Sequence, residues 1–366
     1  MYLALYRKFR PSTFEGIVGQ EHITTTLKNQ IANQQIGHAY LFCGSRGTGK
    51  TSCAKVFARA INCLSPLADG SPCGKCEVCT KLQQSNNMDI LEIDAASNNG
   101  VDEIRDLREK IKYAPAVGKY KVYIIDEVHM LSPGAFNALL KTLEEPPAHA
   151  VFILATTEVH KLPATILSRV MRFDFKLIST QKIAQNISKI FNESNIKAEE
   201  SAIGLIASAG EGSMRDALSI ADMCASFCNN NITYDKVIEV LGISNKETIY
   251  ALLNSILSQD IQNFFVEFDK IVKQGKNLSV VASDLTKGLR DLLVIKSCGE
   301  NSGLIDYKPE LLSKMSNLAT QCSVVRINKA LQAFSKIETD LKYATNPQLL
   351  IETTALGLID DEVKKN

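Results

Sequence analysis

The sequence predicts an α/β domain built on a parallel sheet, followed by two regions that are helical throughout. Over the first 178 residues, apolar strand-like runs alternate with stretches of helical length, the pattern of a parallel sheet covered by helices on both faces. One run, Val122-Tyr123-Ile124-Ile125, is apolar at every position, as strands buried on both faces are. Beyond about residue 178 the strand signals stop, and apolar residues recur at the three- and four-residue spacing of helices.

Taken in order, the strands are expected at 39–43, 90–93, 121–125, 151–155 and 170–175, with helices at 51–62, 101–113 and 133–144 between them. Helices follow at 180–194, 199–209 and 214–229, with Gly210 and Gly212 breaking the pattern and Asn229-Asn230-Asn231 reading as a polar turn. From residue 248 the pattern stays helical, with Leu252, Ile256, Ile261 and Phe265 as its apolar positions. The expected division is 1–178, 179–242 and 243–366, which suits a chain of 366 residues, too long for one ordinary core.

Bulk properties exclude more than they assign. Lys plus Arg number 41 against 40 for Asp plus Glu, so any contact with nucleic acid has to be local. The first ten residues carry Arg7, Lys8 and Arg10 without an apolar core of signal-peptide length, and no apolar run reaches the length of a membrane span. A cytoplasmic location with no membrane partner is expected, and ten cysteines then read as reduced thiols or metal ligands rather than disulfides.

Gly44-Ser45-Arg46-Gly47-Thr48-Gly49-Lys50-Thr51 fits G-x-x-x-x-G-K-[ST] without a mismatch, with an apolar strand before it and a helical pattern from Ser52 after it. Three glycines let the backbone wrap phosphates with its amides pointing inward, and the helix N-terminus adds positive potential there. Lys50 would reach the β- and γ-phosphates of ATP, and Thr51 would offer its hydroxyl to Mg²⁺. The run 122–125 ends in Asp126 and Glu127. A buried parallel strand delivers its last residues at the sheet edge where a phosphate loop lies. Asp126 is then placed to hold Mg²⁺, and Glu127 to orient or deprotonate an attacking water. Ala155-Thr156-Thr157-Glu158 ends the next strand, beside the same site.

Cys63, Cys73, Cys76 and Cys79 give the spacing C-x9-C-x2-C-x2-C, in which four thiolates close a tetrahedral shell. That predicts structural rather than catalytic zinc, and the remaining six cysteines read as small buried residues. The five histidines show no ligand spacing, and only His129, just after the acidic pair, is suggestive.

The order of these pieces resembles the AAA+ superfamily and, within it, the gamma/tau subunits of the bacterial DNA polymerase III clamp loader. The segments that carry the likeness include 6–11, Val18-Gly19-Gln20, 38–42, the phosphate loop, 94–97, 126–131, 137–147, Ser168-Arg169 and Gly212-Ser213-Met214-Arg215-Asp216, dense over about 1–242. The resemblance implies an AAA+ domain with a zinc module at 63–79, a helical lid and an all-α oligomerisation collar. It implies that Arg169 acts in trans as the arginine finger of a neighbour's site, that Arg215 reads the nucleotide from the lid, and that Thr157 or Thr156 is the first sensor. Arg10, Pro11 and Val18 would line the adenine pocket. Family members usually carry Ser-Arg-Cys at the finger, where this chain has Ser168-Arg169-Val170; the guanidinium is kept.

The implied activity is ATP hydrolysis that opens the sliding clamp (beta subunit) and loads it on primed DNA, within a hetero-pentameric loader of gamma/tau copies, delta and delta-prime. In the cell the loader would associate with the nucleoid during replication. Primed DNA would be held by helix N-termini, for which 97–100 ahead of the helix at 101 is one candidate. The alternatives are another AAA+ ATPase of DNA metabolism, which would lack the cysteine cluster, and a non-hydrolysing delta-prime-like scaffold, which typically lacks a working phosphate loop.

Overall fold

A computed structural model describes residues 3–84, 87–242, 246–300, 302–305, 307, 309–341 and 343–360. The expected start of the third region, 243–245, lies outside the described residues. The chain forms two compact units that divide between Tyr234 and Asp235.

In the first unit, strands β1 (Ala39–Cys43), β2 (Ile90–Asp94), β3 (Lys121–Asp126), β4 (Ala150–Thr156) and β5 (Met171–Asp174) form one parallel sheet in the order β2-β3-β4-β1-β5. Strand side chains alternate between two cores, as the period of two requires. Tyr40, Phe42, Val122, Ile124, Val151 and Ile153 lie on one face with Ile23, Leu27, Val56 and Phe57. Leu41, Tyr123, Ile125, Phe152 and Leu154 lie on the other with Ile104, Leu107, Phe136 and Leu139. The helices of these layers are α1 (Leu5–Lys8), α2 (Glu21–Ala32), α3 (Lys50–Ala60), α4 (Glu77–Leu82), α5 (Val101–Ile111), α6 (Pro133–Glu144) and α7 (Ala164–Leu167). The sequence reading anticipated α3, α5 and α6 but not α2. That helix is tied to the sheet by fully buried Tyr40, whose hydroxyl donates to Gln30 Oε1 at 3.1 Å and accepts from the Gly37 amide at 2.8 Å.

Helices α8 (Thr180–Glu193), α9 (Glu200–Ala209) and α10 (Met214–Phe227) follow, with Ser179 and Ser213 capping α8 and α10 through their hydroxyls. Two short strands, β6 (Lys197–Ala198) and β7 (Asn231–Ile232), pair in parallel where no strand was expected. Asn229 and Asn230 sit at φ of 48° and 61°, left-handed positions that asparagine tolerates, and they make the polar turn before β7.

Helix α11 (Tyr234–Leu241) leads on, and the second unit holds α12 (Lys246–Ser258), α13 (Ile261–Lys273), α14 (Leu278–Cys298), α15 (Pro309–Gln321), α16 (Val324–Asp340) and α17 (Pro347–Asp360) around a core that includes Leu252, Ile256, Phe264, Phe268, Leu285 and Phe334. Ile261 and Phe265 do not join that core as expected; they are 42% and 37% exposed. Asp260 caps a new helix through its carboxylate, accepting from the Asn263 amide, so the helical phase restarts there and Phe264, Phe268 and Ile271 turn inward instead. Cys298 is exposed, against the expectation of six small buried thiols; the other five are buried.

Candidate active site

The phosphate loop joins β1 to α3, and its conformation depends on glycine. Gly47 and Gly49 take φ of 75° and 102°, where an L side chain is strained, and a Cβ on Gly47 would run into Ser213 of the lid. Gly49 is the N-cap of α3, so the first amides of that helix open onto the loop. Buried Lys50 folds back to donate from Nζ to the carbonyls of Gly44 (2.8 Å) and Ser45 (2.9 Å). Burial holds its pKa below the ordinary lysine range, against the pull of the Glu127 and Asp126 carboxylates.

The parallel register brings the acidic pair to this edge, with Asp94 beside Asp126 and β4 next to β1. Thr51 Oγ1 donates to Asp126 Oδ2 at 2.7 Å. A hydroxyl and a carboxylate meeting at a phosphate loop are hard oxygen donors of the kind Mg²⁺ selects, so the residues fit that ion. Glu127 sits in the left-handed region (φ 47°) and accepts at Oε2 from Thr157 Oγ1 at 3.1 Å. Thr156 is fully buried and is engaged by His129 and by the Glu158 amide.

These groups open into a cavity of about 740 Å³. Arg46 through Ser52, Asp126 and Glu127 line it from the sheet edge, and Arg10, Pro11 and Val18 line it from the N-terminal segment. The lid contributes Arg215, whose guanidinium lies over the Tyr6 ring 5.4 Å from its centroid. Gly44 and Ser45 act through their carbonyls on Lys50 rather than by lining the cavity. Lid and loop are also joined directly, because the Met214 amide donates to Gly47 O at 3.1 Å.

Arg169 lies elsewhere, in a groove with His38, Leu143, Glu144, Ser168, Val170 and Met171. It donates to Thr165 O (2.8 Å) and Ser168 Oγ (3.1 Å) and pairs with Glu144 Oε1 at 2.9 Å. Val170 precedes β5 rather than starting it. Residues 97–100 lead into α5, but Asp102 and Glu103 stand in its first turn and oppose an approaching phosphate.

The four cysteines converge. One sulfur from each of Cys63, Cys73, Cys76 and Cys79 lies within 4.8 Å of the others, with Cys73 and Cys79 sulfurs 3.9 Å apart. Tetrahedral zinc with Zn–S bonds of about 2.3 Å needs sulfurs about 3.8 Å apart, so the donor set fits that ion. Main-chain amides of Cys73, Cys76 and Cys79 point at the sulfurs of Cys63, Cys73 and Cys76. Burial works against a thiolate at Cys76, but the amides of Cys79 and Leu64 outweigh it and bring its pKa down to about 6.

Sequence reasoning missed three contributors. Fully buried Gln20 ties Thr48 O to the backbone of Lys176, Tyr6 lies under Arg215, and Lys189 of α8 lines the cavity. Tyr6 and Gln20 lie in segments that carry the resemblance, but each of the three acts across a gap that only the folded chain closes, so its role has no local signal.

A parallel sheet with a phosphate loop, an acidic pair at the end of the neighbouring strand and a helical lid defines an ATPase module of the AAA+ type. The Holliday junction branch migration motor RuvB of Thermotoga maritima shares this fold, with a TM-score of 0.50 and 19% identity over 68% of this chain and 79% of that one. Family models match in succession: DNA polymerase III delta subunit over 19–179, the ATPase lid domain of the DNA polymerase III clamp loader subunit over 182–230, and domain III of DNA polymerase III subunits gamma and tau over 232–363. The DNA polymerase III gamma subunit of Buchnera aphidicola is 39% identical over 81% of this chain and 80% of its own length. The tau subunit of Bacillus subtilis is 43% identical over 98% of this chain, and that of Escherichia coli 37% over 97%. The chain belongs to the gamma/tau subunit family of DNA polymerase III. It spans 63% of the Bacillus subtilis protein and 55% of the Escherichia coli one.

Proposed function

We propose that this chain is the ATP-hydrolysing motor subunit of a DNA polymerase III clamp loader, which opens the ring-shaped sliding clamp and releases it on primed DNA. The observation that carries the reading is the meeting of Lys50, Thr51, Asp126 and Glu127 at one mouth of the cavity, with Thr51 and Asp126 in direct hydrogen bond. Lys50 would trade its two loop carbonyls for the β- and γ-phosphates of ATP. Thr51 and Asp126 would hold Mg²⁺, which neutralises charge on those phosphates.

Glu127 would take a proton from water as the water oxygen bonds to the γ-phosphorus and the β–γ bridging bond breaks, leaving ADP and inorganic phosphate. Thr157 holds Glu127 from the side where a first sensor would stand. Arg215 would read the nucleotide from the lid, with Arg10, Pro11 and Val18 around the adenine. The position of Arg169 in a separate groove suits a finger that serves an adjacent subunit. The intact loop argues for a motor rather than a delta-prime-like scaffold.

The assembly follows from the family: further gamma/tau copies, delta and delta-prime in a pentamer, with the 243–366 helices as collar, 179–242 as lid and 1–178 as the nucleotide-binding domain. The clamp and primed DNA are its partners, in the cytoplasm at the nucleoid. Zinc at Cys63, Cys73, Cys76 and Cys79 is structural. Replacing Glu127 with Gln in the reconstituted loader should keep ATP binding and abolish turnover; turnover that survives would remove Glu127 from the role of base.

A further inference from the structure

We propose that His129 is the positioning residue for Glu127, and that Glu158 is its anchor. The inference rests on the reading of Glu127 as the hydrolytic base. His129 stands in the short turn after β3, and its side chain is only 7% exposed. Its Nδ1 lies 3.0 Å from Thr156 Oγ1 and 3.5 Å from Glu127 Oε2, and its Nε2 lies 3.1 Å from Glu158 Oε2. Glu158 is itself held, paired with Lys161 Nζ at 2.6 Å, while its amide donates to Thr156 Oγ1 at 3.0 Å. One ring thus joins the ends of the neighbouring strands β3 and β4, and its polar contacts go to residues that flank the proposed reacting site.

The network assigns each proton a place. Glu158 accepts only, so Nε2 carries the proton and donates to it. The Thr156 hydroxyl accepts the Glu158 amide and donates to Nδ1. The ring is then fixed at both nitrogens, as an imidazole oriented by a carboxylate is. Its Nδ1, an acceptor in this tautomer, stands 3.5 Å from Glu127 Oε2 without bonding it, so the lone pair opposes any swing of that oxygen toward the ring and keeps it on Thr157 Oγ1.

Glu127 needs that support. Its backbone is left-handed, its side chain is 34% exposed, and a free glutamate turns about three bonds. A base acts only from hydrogen-bond reach of the proton that it takes. Thr157 donates the carboxylate's hydrogen bond, and the acceptor edge of the fixed ring bars the opposite side, narrowing the arc that it sweeps. A packing role alone would be filled as well by an apolar residue, which needs neither Thr156 nor Glu158. The segment after Glu158 runs on through α7 to Arg169, so the same ring ties the chain's own base to the stretch that carries its finger.

The test uses the reconstituted loader with His129→Ala, His129→Gln, Glu158→Gln and the double variant H129A/E158Q. Steady-state kcat and KM are measured beside equilibrium binding of a fluorescent ATP analogue. His129→Ala should lower kcat by about ten- to a hundredfold, the scale of a small misplacement, while KM and analogue affinity stay within about twofold. His129→Gln, whose amide can still bridge to Glu158, should recover part of kcat. Glu158→Gln should act in the same direction, and the double variant should be no worse than His129→Ala, because the two form one chain of support.

A kcat within about twofold of the parent in His129→Ala would overturn the inference. So would multiplicative losses in the double variant, or an equal fall in kcat and affinity. Should His129→Ala fail to fold, His129→Gln and Glu158→Gln decide by the same split. Turnover that survives Glu127→Gln sinks the underlying reading instead; an inactive Glu127→Gln beside a fully active His129→Ala sinks only this inference.

Discussion

Gln20 shows how one side chain can hold the phosphate loop to the segment that follows β5. Its fully buried Nε2 and Oε1 make three bonds: Nε2 donates to Lys176 O at 2.7 Å and to buried Thr48 O at 3.3 Å, and Oε1 accepts from the Lys176 amide at 3.1 Å. Removing the amide strips the buried Thr48 carbonyl and the part-buried Lys176 backbone of this partner, which costs about 1–3 kcal/mol. Gln20→Ala should therefore lower the first unfolding transition in urea by that amount; a loss under about 0.5 kcal/mol would show that water or a shifted backbone replaces it. The phosphate loop was legible because its chemistry lies within eight consecutive residues. Gln20 was not, because its partner is 156 residues away and its role exists only once both meet. The same holds for His129, whose position after the acidic pair drew notice but whose partners Thr156 and Glu158 come from another strand end.

Among the elements, the cysteine loop is the clearest case of local structure organised by the side chains that would hold a metal. Helix α4 is only six residues long, and its N-cap is the sulfur of Cys76, which accepts from the Cys79 amide. With the proposed zinc bound there, metal binding and the start of that helix would be one event, on which a loop with so little core of its own would depend. Freshly purified, reduced protein should contain one zinc per chain, measured by elemental analysis. Cys76→Ser should lose the metal and become sensitive to proteolysis around 63–82; a zinc ratio near zero in the parent would remove the metal. Strands were legible from apolar runs because both sheet faces are covered, so nearly every residue in β1, β3 and β4 must be apolar. Helix phase was less legible. The apolar positions step by four from Leu252 to Ile256 and from Ile261 to Phe265 but by five between the two pairs, and there Asp260 restarts the helix and turns Ile261 and Phe265 outward.

At the scale of the whole molecule, the proposed ATP site is built by the first unit alone, yet its proposed chemistry is shared between copies. Loop, acidic pair and Arg215 meet in one cavity, while Arg169 sits in its own groove, paired with Glu144. That pair is half exposed and worth less than about 1 kcal/mol, so a triphosphate presented by a neighbour could displace the carboxylate with little cost. On the proposed reading, a subunit binds ATP by itself and hydrolyses it well only when assembled, so that the assembly is what responds to clamp and DNA. The most direct measurement is clamp loading onto primed circular DNA by the reconstituted loader, comparing this chain with its Lys50→Ala variant. The parent should leave clamps on the DNA in proportion to ATP consumed, and Lys50→Ala should leave none. Equal loading by the two, or ATP consumption by the parent with no clamp left on the DNA, would contradict the account.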